Sequence, residues 1–233
     1  MSVTLNQVIP WGRSLQEYTQ MFNLSDEELN LRLLGVGDGP ASFNSEMNAL
    51  GHTVLSIDPI YSFSRAQIER RIEENYDTLI SQVERKSDNF VWDFFSDPAH
   101  WGYYRLETMR KFLEDFEAGK VQGRYLPASL PTLNFTDCQF DLAFCSHLLF
   151  LYSIQLSFDF HRDSIQELCR ISQEVRIFPL LTLDCKRSPY VAPIQSHFSE
   201  AGFTVDICRV PYEFQKGGNE MMRIHRNGKE KNP

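Results

Sequence analysis

The sequence predicts an α/β fold with a doubly wound, Rossmann-like sheet, and three observations carry the prediction. Short apolar runs alternate with stretches whose apolar residues recur at helical spacing. The runs LRLLGV, FDLAFCSHLLFLY and EVRIFPLLTL are continuously apolar, as strands buried on both faces are. A glycine-rich turn, GVGDGP, joins the first run to a helix. The 233 residues, 42% of them hydrophobic, suffice for a single domain spanning residues 1–233.

Taken in order, Leu15, Tyr18 and Phe22 share a face of a short helix over residues 14–22. Ser25 and Glu28 have capping-box spacing, a helix-start signal. LRLLGV is the first strand. PASFNSEMNALG puts Phe43, Met47 and Leu50 on one helical face and stops at Gly51. HTVLSI is the second strand, closed by Asp58-Pro59. Such a strand–helix–strand unit with short loops builds a parallel sheet.

Residues 62–120 read as a helical insertion after the second strand, and as a cap, because one crossover helix needs less chain. Ile68, Ile72, Tyr76, Leu79 and Val83 follow one face; Leu106, Met109, Leu113 and Phe116 follow another. The aromatic-dense FVWDFFSDPAHWGYY between them is either packing or a substrate platform. Strands resume with GRYLPASLP and FDLAFCSHLLFLY. HRDSIQELCRIS is a helix with Ile165, Leu168 and Cys169 inward, EVRIFPLLTL a strand, and SPYVAPIQSHFSEAG a helix showing Ile194, Phe198 and Ala201. FTVDICRVP and GNEMMRIHR end the chain as strands close enough to pair antiparallel, beside Lys216-Gly217-Gly218-Asn219. Whether a helix joins the third and fourth strands is left open by the pattern.

Composition narrows the function. A net charge of −8 argues against a nucleic-acid binder. No apolar run approaches the roughly 20 residues of a membrane span. MSVTLNQVIPWGRS has no secretory pattern, and HRNGKEKNP reads as a solvated tail. Cys138, Cys145, Cys169, Cys185 and Cys208 form no C-x-x-C pair, so reduced thiols in a cytoplasmic protein are expected. The six histidines are scattered and no metal site is expected. No G-x-S-x-G elbow suggests a hydrolase.

Gly35, Gly37 and Gly39 would let a ligand approach the backbone at the end of the first strand. Asp58 ends the second strand, where a carboxylate can accept from a vicinal diol, so a nucleoside-type ligand is expected. A dinucleotide fingerprint G-x-G-x-x-G would need glycine or alanine at position 40, which is Pro40. Proline suits a first helical turn but removes an amide that would hold pyrophosphate. Ribose and adenine without phosphate fit better.

LLGVGDGPASF with VLSIDP, then FDLAFCSHLLFLY, resembles the signature of class I S-adenosylmethionine-dependent methyltransferases. The closing strand pair, with the last strand antiparallel in a sheet of about seven, is similar to that family's sheet. More narrowly, WGRSLQEY, GPASFNSEMNALG, DPIYSFS, RIFPLL and GGNEMMRI resemble a bacterial group within that superfamily. The resemblance implies S-adenosylmethionine as cofactor and S-adenosylhomocysteine as product. It places Gly37 and Gly39 against the methionine part and Asp58, followed by Pro59, at the ribose. Ser129 and Leu130 fall at the adenine, and Cys145 and Ser146 line cofactor and acceptor. Two departures stand out. LPASLP lacks the acid that many members use toward adenine, and Gly35, carried over as a cofactor contact, occupies a position where many have an acid, for which Asp38 would compensate.

Methyl transfer from a sulfonium is an in-line displacement, needing a base only when the nucleophile arrives protonated. His147, after the fourth strand, is the candidate base, with a packed structural histidine as the alternative. Asp184, expected to end the fifth strand, is the second candidate, with a capping carboxylate as its alternative. Arg13 would pair with the cofactor's carboxylate if the first helix covers the site; otherwise it is a surface arginine. The expected function is methyl transfer to a small, partly apolar molecule; CSHL stands where an amino-methylating nucleic-acid enzyme would carry N-P-P-Y. The alternative is a non-catalytic cofactor-binding or regulatory protein of the same fold.

Overall fold

The structure, a computed structural model, describes residues 11–226. The expected solvated tail lies almost wholly outside that range, as do the first residues of the N-terminal stretch.

Seven strands form one sheet: β1 (Leu33–Val36), β2 (Val54–Ile57), β3 (Tyr125–Leu126), β4 (Phe140–Ser146), β5 (Ser172–Phe178), β6 (Phe203–Arg209) and β7 (Glu220–Arg226), in the order β3-β2-β1-β4-β5-β7-β6. The strands from β3 to β5 pair in parallel, and β7 runs antiparallel to both β5 and β6. The doubly wound class and the antiparallel last strand are therefore as expected. Strand order reverses between β1 and β4, and the crevice outside their carboxyl ends is where such sheets hold ligands.

Successive residues of the central strands face opposite sides. Leu34, Val36, Ala143 and Cys145 join a core with α5 (Phe158–Ile171) and α6 (Val191–Glu200). Leu33, Leu142 and Phe144 join another with α1 (Leu15–Met21) and α2 (Phe43–Ala49). This two-sided burial is the reason that FDLAFC carries no polar alternation beyond Asp141.

Three local departures, and the connection left open between the third and fourth strands, have physical causes. The Ser25–Glu28 box forms, Ser25 N–H donating to Glu28 Oε2 at 3.0 Å and Glu28 N–H to Ser25 Oγ at 3.3 Å. It nucleates only a 3-10 turn, Glu28–Asn30, because Leu31 is already extended toward β1. Leu50 is 63% exposed, since α2 ends before it and the chain turns at Gly51 with φ +83°. Ala201 is likewise exposed, lying just past the end of α6. No helix joins β3 to β4; Arg170 donates to the carbonyls of Leu133 and Phe135 at 3.2 and 2.8 Å, and Glu167 accepts Leu133 N–H at 2.7 Å, fixing that segment as a loop.

The insertion is a pair of packed helices, α3 (Arg65–Arg85) and α4 (Pro98–Val121). Its aromatic link packs: Phe95 is fully buried, and Trp101 lies parallel to Phe214 at 5.6 Å. Val91 N–H donates to Phe214 O at 2.8 Å, which ties the insertion to the β6–β7 connection. Arg105 of α4 forms a buried ion pair with Glu17 of α1 and donates to Gly12 O at 3.1 Å; Tyr212 O–H donates to Glu17 Oε1 at 2.8 Å. This clasp holds residues 12–17 over the carboxyl end of the sheet.

Candidate functional site

The turn after β1 is built by two left-handed glycines, Gly37 at φ +70° and Gly39 at φ +56°, conformations that side chains strain to adopt. Between them Asp38 turns inward and is 5% exposed. Its Oδ1 accepts from Tyr18 O–H and its Oδ2 from Ser56 O–H, both at 2.6 Å. A Cβ on Gly35 would lie 1.9 Å from Asp38 Oδ2, so Gly35 is glycine to leave room for that carboxylate. Burial pushes the Asp38 carboxyl up to about 7.

Asp58 follows β2 and also grips the turn. Its Oδ2 accepts Gly39 N–H and its Oδ1 accepts Ile60 N–H, each at 2.9 Å. Burial raises its carboxyl to about 6, the two N–H bonds opposing the shift. Each oxygen keeps a lone pair for a ligand hydroxyl.

A cavity of about 330 Å³ opens beside this turn, within the range of small-molecule sites. Gly37, Asp38, Gly39, Asp58 and Pro59 form one side, and Ser129, Leu130, Ser146 and His147 another. Phe63 and Phe160 lie at it too, with Arg71 stacked 3.9 Å over the Phe63 ring. A second, half-open cavity of about 160 Å³ adjoins it, lined by Gln82 and Val83 of α3, Trp101 of α4, and Phe178, Tyr212 and Phe214. Trp11, Arg13 and His147 line both.

His147 takes φ +51° immediately after β4, with its N–H donating to Phe178 O at 2.7 Å and its Nδ1 3.1 Å from Ser146 Oγ. Burial, then the charges of Arg13 and Arg105, hold its pKa well below the ordinary histidine value, so the ring is neutral at neutral pH. Arg13 donates to Trp11 O at 2.7 Å, while its Nε has no partner among the described residues. Burial and neighbouring Arg105 lower its pKa to about 10, which leaves it charged.

The structure thus gathers Arg13, Gly37, Gly39, Asp58, Pro59, Ser129, Leu130, Ser146 and His147 around one crevice. Gly35 acts behind it, through Asp38. Cys145 lines neither cavity: its side chain points into the core beneath α5, where burial pushes the thiol up to about 12. Asp184 lines neither as well, because β5 ends at Phe178 and Asp184 sits beyond it in a turn closed by Thr182 N–H to Lys186 O at 2.7 Å. Sequence reasoning missed Trp11, Gln82, Tyr212 and Phe214 as site residues; the aromatic stretch signalled Phe90 and Trp101. Among the described residues no group of three or more His, Cys, Asp or Glu side chains is placed to hold a metal ion, and no helix is long and apolar enough to cross a membrane.

No protein-family model matches the chain. It is 33% identical over 225 residues to the uncharacterized protein MJ0045 of Methanocaldococcus jannaschii, covering 96% of this chain and 99% of that one. Among solved structures it is similar to magnesium protoporphyrin IX methyltransferase of Synechocystis PCC 6803 with bound SAM (12% identity, 87% of this chain and 73% of that chain, TM-score 0.46). It is also similar to a TehB-like SAM-dependent methyltransferase of Corynebacterium glutamicum (12% identity, 85% and 81%, TM-score 0.42). These two are likenesses of chain course alone.

Proposed function

The chain belongs to the family of the M. jannaschii protein MJ0045, and we propose that it is an S-adenosylmethionine-dependent methyltransferase acting on a small molecule. The observation that supports this best is the pair of adjoining cavities with His147 and Arg13 at their boundary, one bearing carboxylates and the other, among the described residues, none.

The residues present fit the cofactor. Asp58 would accept from both ribose hydroxyls, and Ser129 and Leu130 would border the adenine. Gly37 and Gly39 would admit the methionine part, and the Arg13 guanidinium would meet its carboxylate. Asp38 and Asp58 bring carboxyls to this cavity and Arg13 and Arg71 bring guanidiniums, a mix that suits a ligand carrying both an ammonium or sulfonium and a carboxylate; its positive groups would draw both carboxyls back toward ionisation. When bound, S-adenosylmethionine would supply a sulfonium methyl carbon that an acceptor lone pair takes in line, the carbon–sulfur bond breaking with its electrons left on sulfur. His147, neutral and lining both cavities, would take the acceptor's proton where it carries one.

Calorimetry with S-adenosylmethionine and S-adenosylhomocysteine tests the reading. Both should bind, and Asp58→Ala should weaken both about 10- to 100-fold, the effect of losing charge-assisted hydrogen bonds. A folded protein that binds neither ligand refutes the proposal. Binding without turnover over a broad acceptor panel would favour a non-catalytic role.

A further inference from the structure

We infer that the second cavity binds a single-ring aromatic molecule through an ionisable oxygen, either a phenol or a benzoate-type carboxylate. That this ligand is the methyl acceptor rests on the function proposed above; that it binds here does not.

Size comes first. The cavity measures about 160 Å³. An apolar protein cavity of about 150 Å³ takes one benzene, so one ring matches the walled part of this space. Phe90, Trp101, Phe178 and Phe214 supply flat walls, and Val83 and Leu151 complete the apolar surface.

Hydrogen bonding then selects the substituent. Trp101 is only 5% exposed, yet its indole N–H has no partner among the described residues. The indole N–H of Trp11 and the Nε of Arg13 are in the same condition, and all three side chains line this cavity. A buried donor left without an acceptor costs about 1–3 kcal/mol, so three along one cavity call for an acceptor supplied by the occupant. Gln82, whose amide oxygen also lacks a partner, offers the complementary contact for a hydroxyl.

Charge decides between oxygen and nitrogen. Among the described residues no Asp or Glu lines the second cavity. The nearby carboxylate, Glu17, is taken up by Arg105 and Tyr212. Arg13 and Arg105 together set a positive field, felt by His147. An ammonium would find no counter-charge here, whereas an oxyanion would find a guanidinium and two indole donors. A phenol would donate a hydrogen bond to neutral His147 and give up its proton only as the methyl transfers; a carboxylate has none to give.

The test is titration calorimetry of the full chain with sodium benzoate, phenol and benzylammonium chloride, in the absence of S-adenosylmethionine. Benzoate and phenol should each bind at least tenfold more tightly than benzylammonium. Trp101→Phe, which keeps the stacked wall and removes the N–H, should weaken benzoate about tenfold. Trp11→Phe provides the same reading should Trp101→Phe disturb the fold. Benzylammonium binding as tightly as benzoate, no binding by either oxygen ligand, or unchanged benzoate affinity in both variants overturns the inference. A separate titration with S-adenosylmethionine keeps the two ideas apart: if it fails while the oxygen series holds, the site stands and the acceptor assignment falls.

Discussion

The two cavities differ in how they are made. The larger one is walled mainly by the loops at the carboxyl ends of β1, β2, β3 and β4, and its carboxylates belong to short motifs, Asp38 within GVGDG and Asp58 within SIDP, while Arg13 and Arg71 reach it from elsewhere in the chain. The smaller one is assembled from side chains scattered over the chain, from Trp11 and Gln82 to Trp101 and Phe214. The first carries carboxylates and left-handed glycines; the second carries aromatic rings and unpaired N–H donors. Backbone geometry makes a cofactor-type pocket with few side chains, whereas an acceptor pocket has to be built from side chains brought together by packing.

Substitutions can break this contrast at its boundary, and the largest effect is expected at His147. His147→Asn keeps a residue that tolerates positive φ, and should lower turnover of a phenolic acceptor about 10²- to 10⁴-fold while leaving S-adenosylmethionine affinity unchanged in calorimetry. Equal turnover would make His147 a structural residue.

Next comes the clasp that positions Arg13. Arg105→Met leaves Glu17 buried without its cation, and thermal or denaturant unfolding should show a loss of about 3–5 kcal/mol. Both cavities should suffer together, since Trp11 and Arg13 line both. A smaller cost is expected within the larger cavity alone. Gly35→Ala forces a methyl into the place of the Asp38 carboxylate and should destabilise by about 1–3 kcal/mol and weaken cofactor binding, with benzoate affinity unaffected. The paired exchange Gly35→Asp with Asp38→Gly, which restores one acid to the same space, should recover part of the loss.

The mildest distinction is the response to pH. Asp58 binds a diol best when ionised and its carboxyl is raised to about 6, so S-adenosylmethionine affinity should fall as pH drops through 6, by about tenfold one unit below. The sign follows because the protonated acid, favoured below that pH, must lose its proton to accept both hydroxyls. Titration calorimetry at pH 5 to 8 checks it, with Asp58→Asn as the variant that should lose the part of the fall centred on about 6 and keep the part due to Asp38 near 7.

Much of the larger cavity is legible in the sequence. GVGDGP and SIDP announce a tight turn and an acid by local chemistry, and both act within a few residues of themselves. The same holds for the helical faces of Ile165, Leu168 and Cys169, all of which are buried. Reading failed where a strand's end had to be located. Continuing apolar residues suggested β5 as far as Asp184, but Pro179 cannot extend the ladder and the strand stops at Phe178. Cys145 was legible as a strand residue but not as one facing the wrong core, because a one-residue change of phase moves a side chain across the sheet.

Element types, their order, the glycine turn and Asp58 follow from periodicity and turn chemistry, which are properties of neighbouring residues. Arg13 at the boundary, the reason for Gly35 and the whole second cavity depend on contacts such as Arg105 with Glu17 and Tyr212 with Glu17, 88 and 195 residues apart along the chain. Over such separations no local preference acts; the partners are chosen by which faces of α1, α4 and the β6–β7 connection must be buried together.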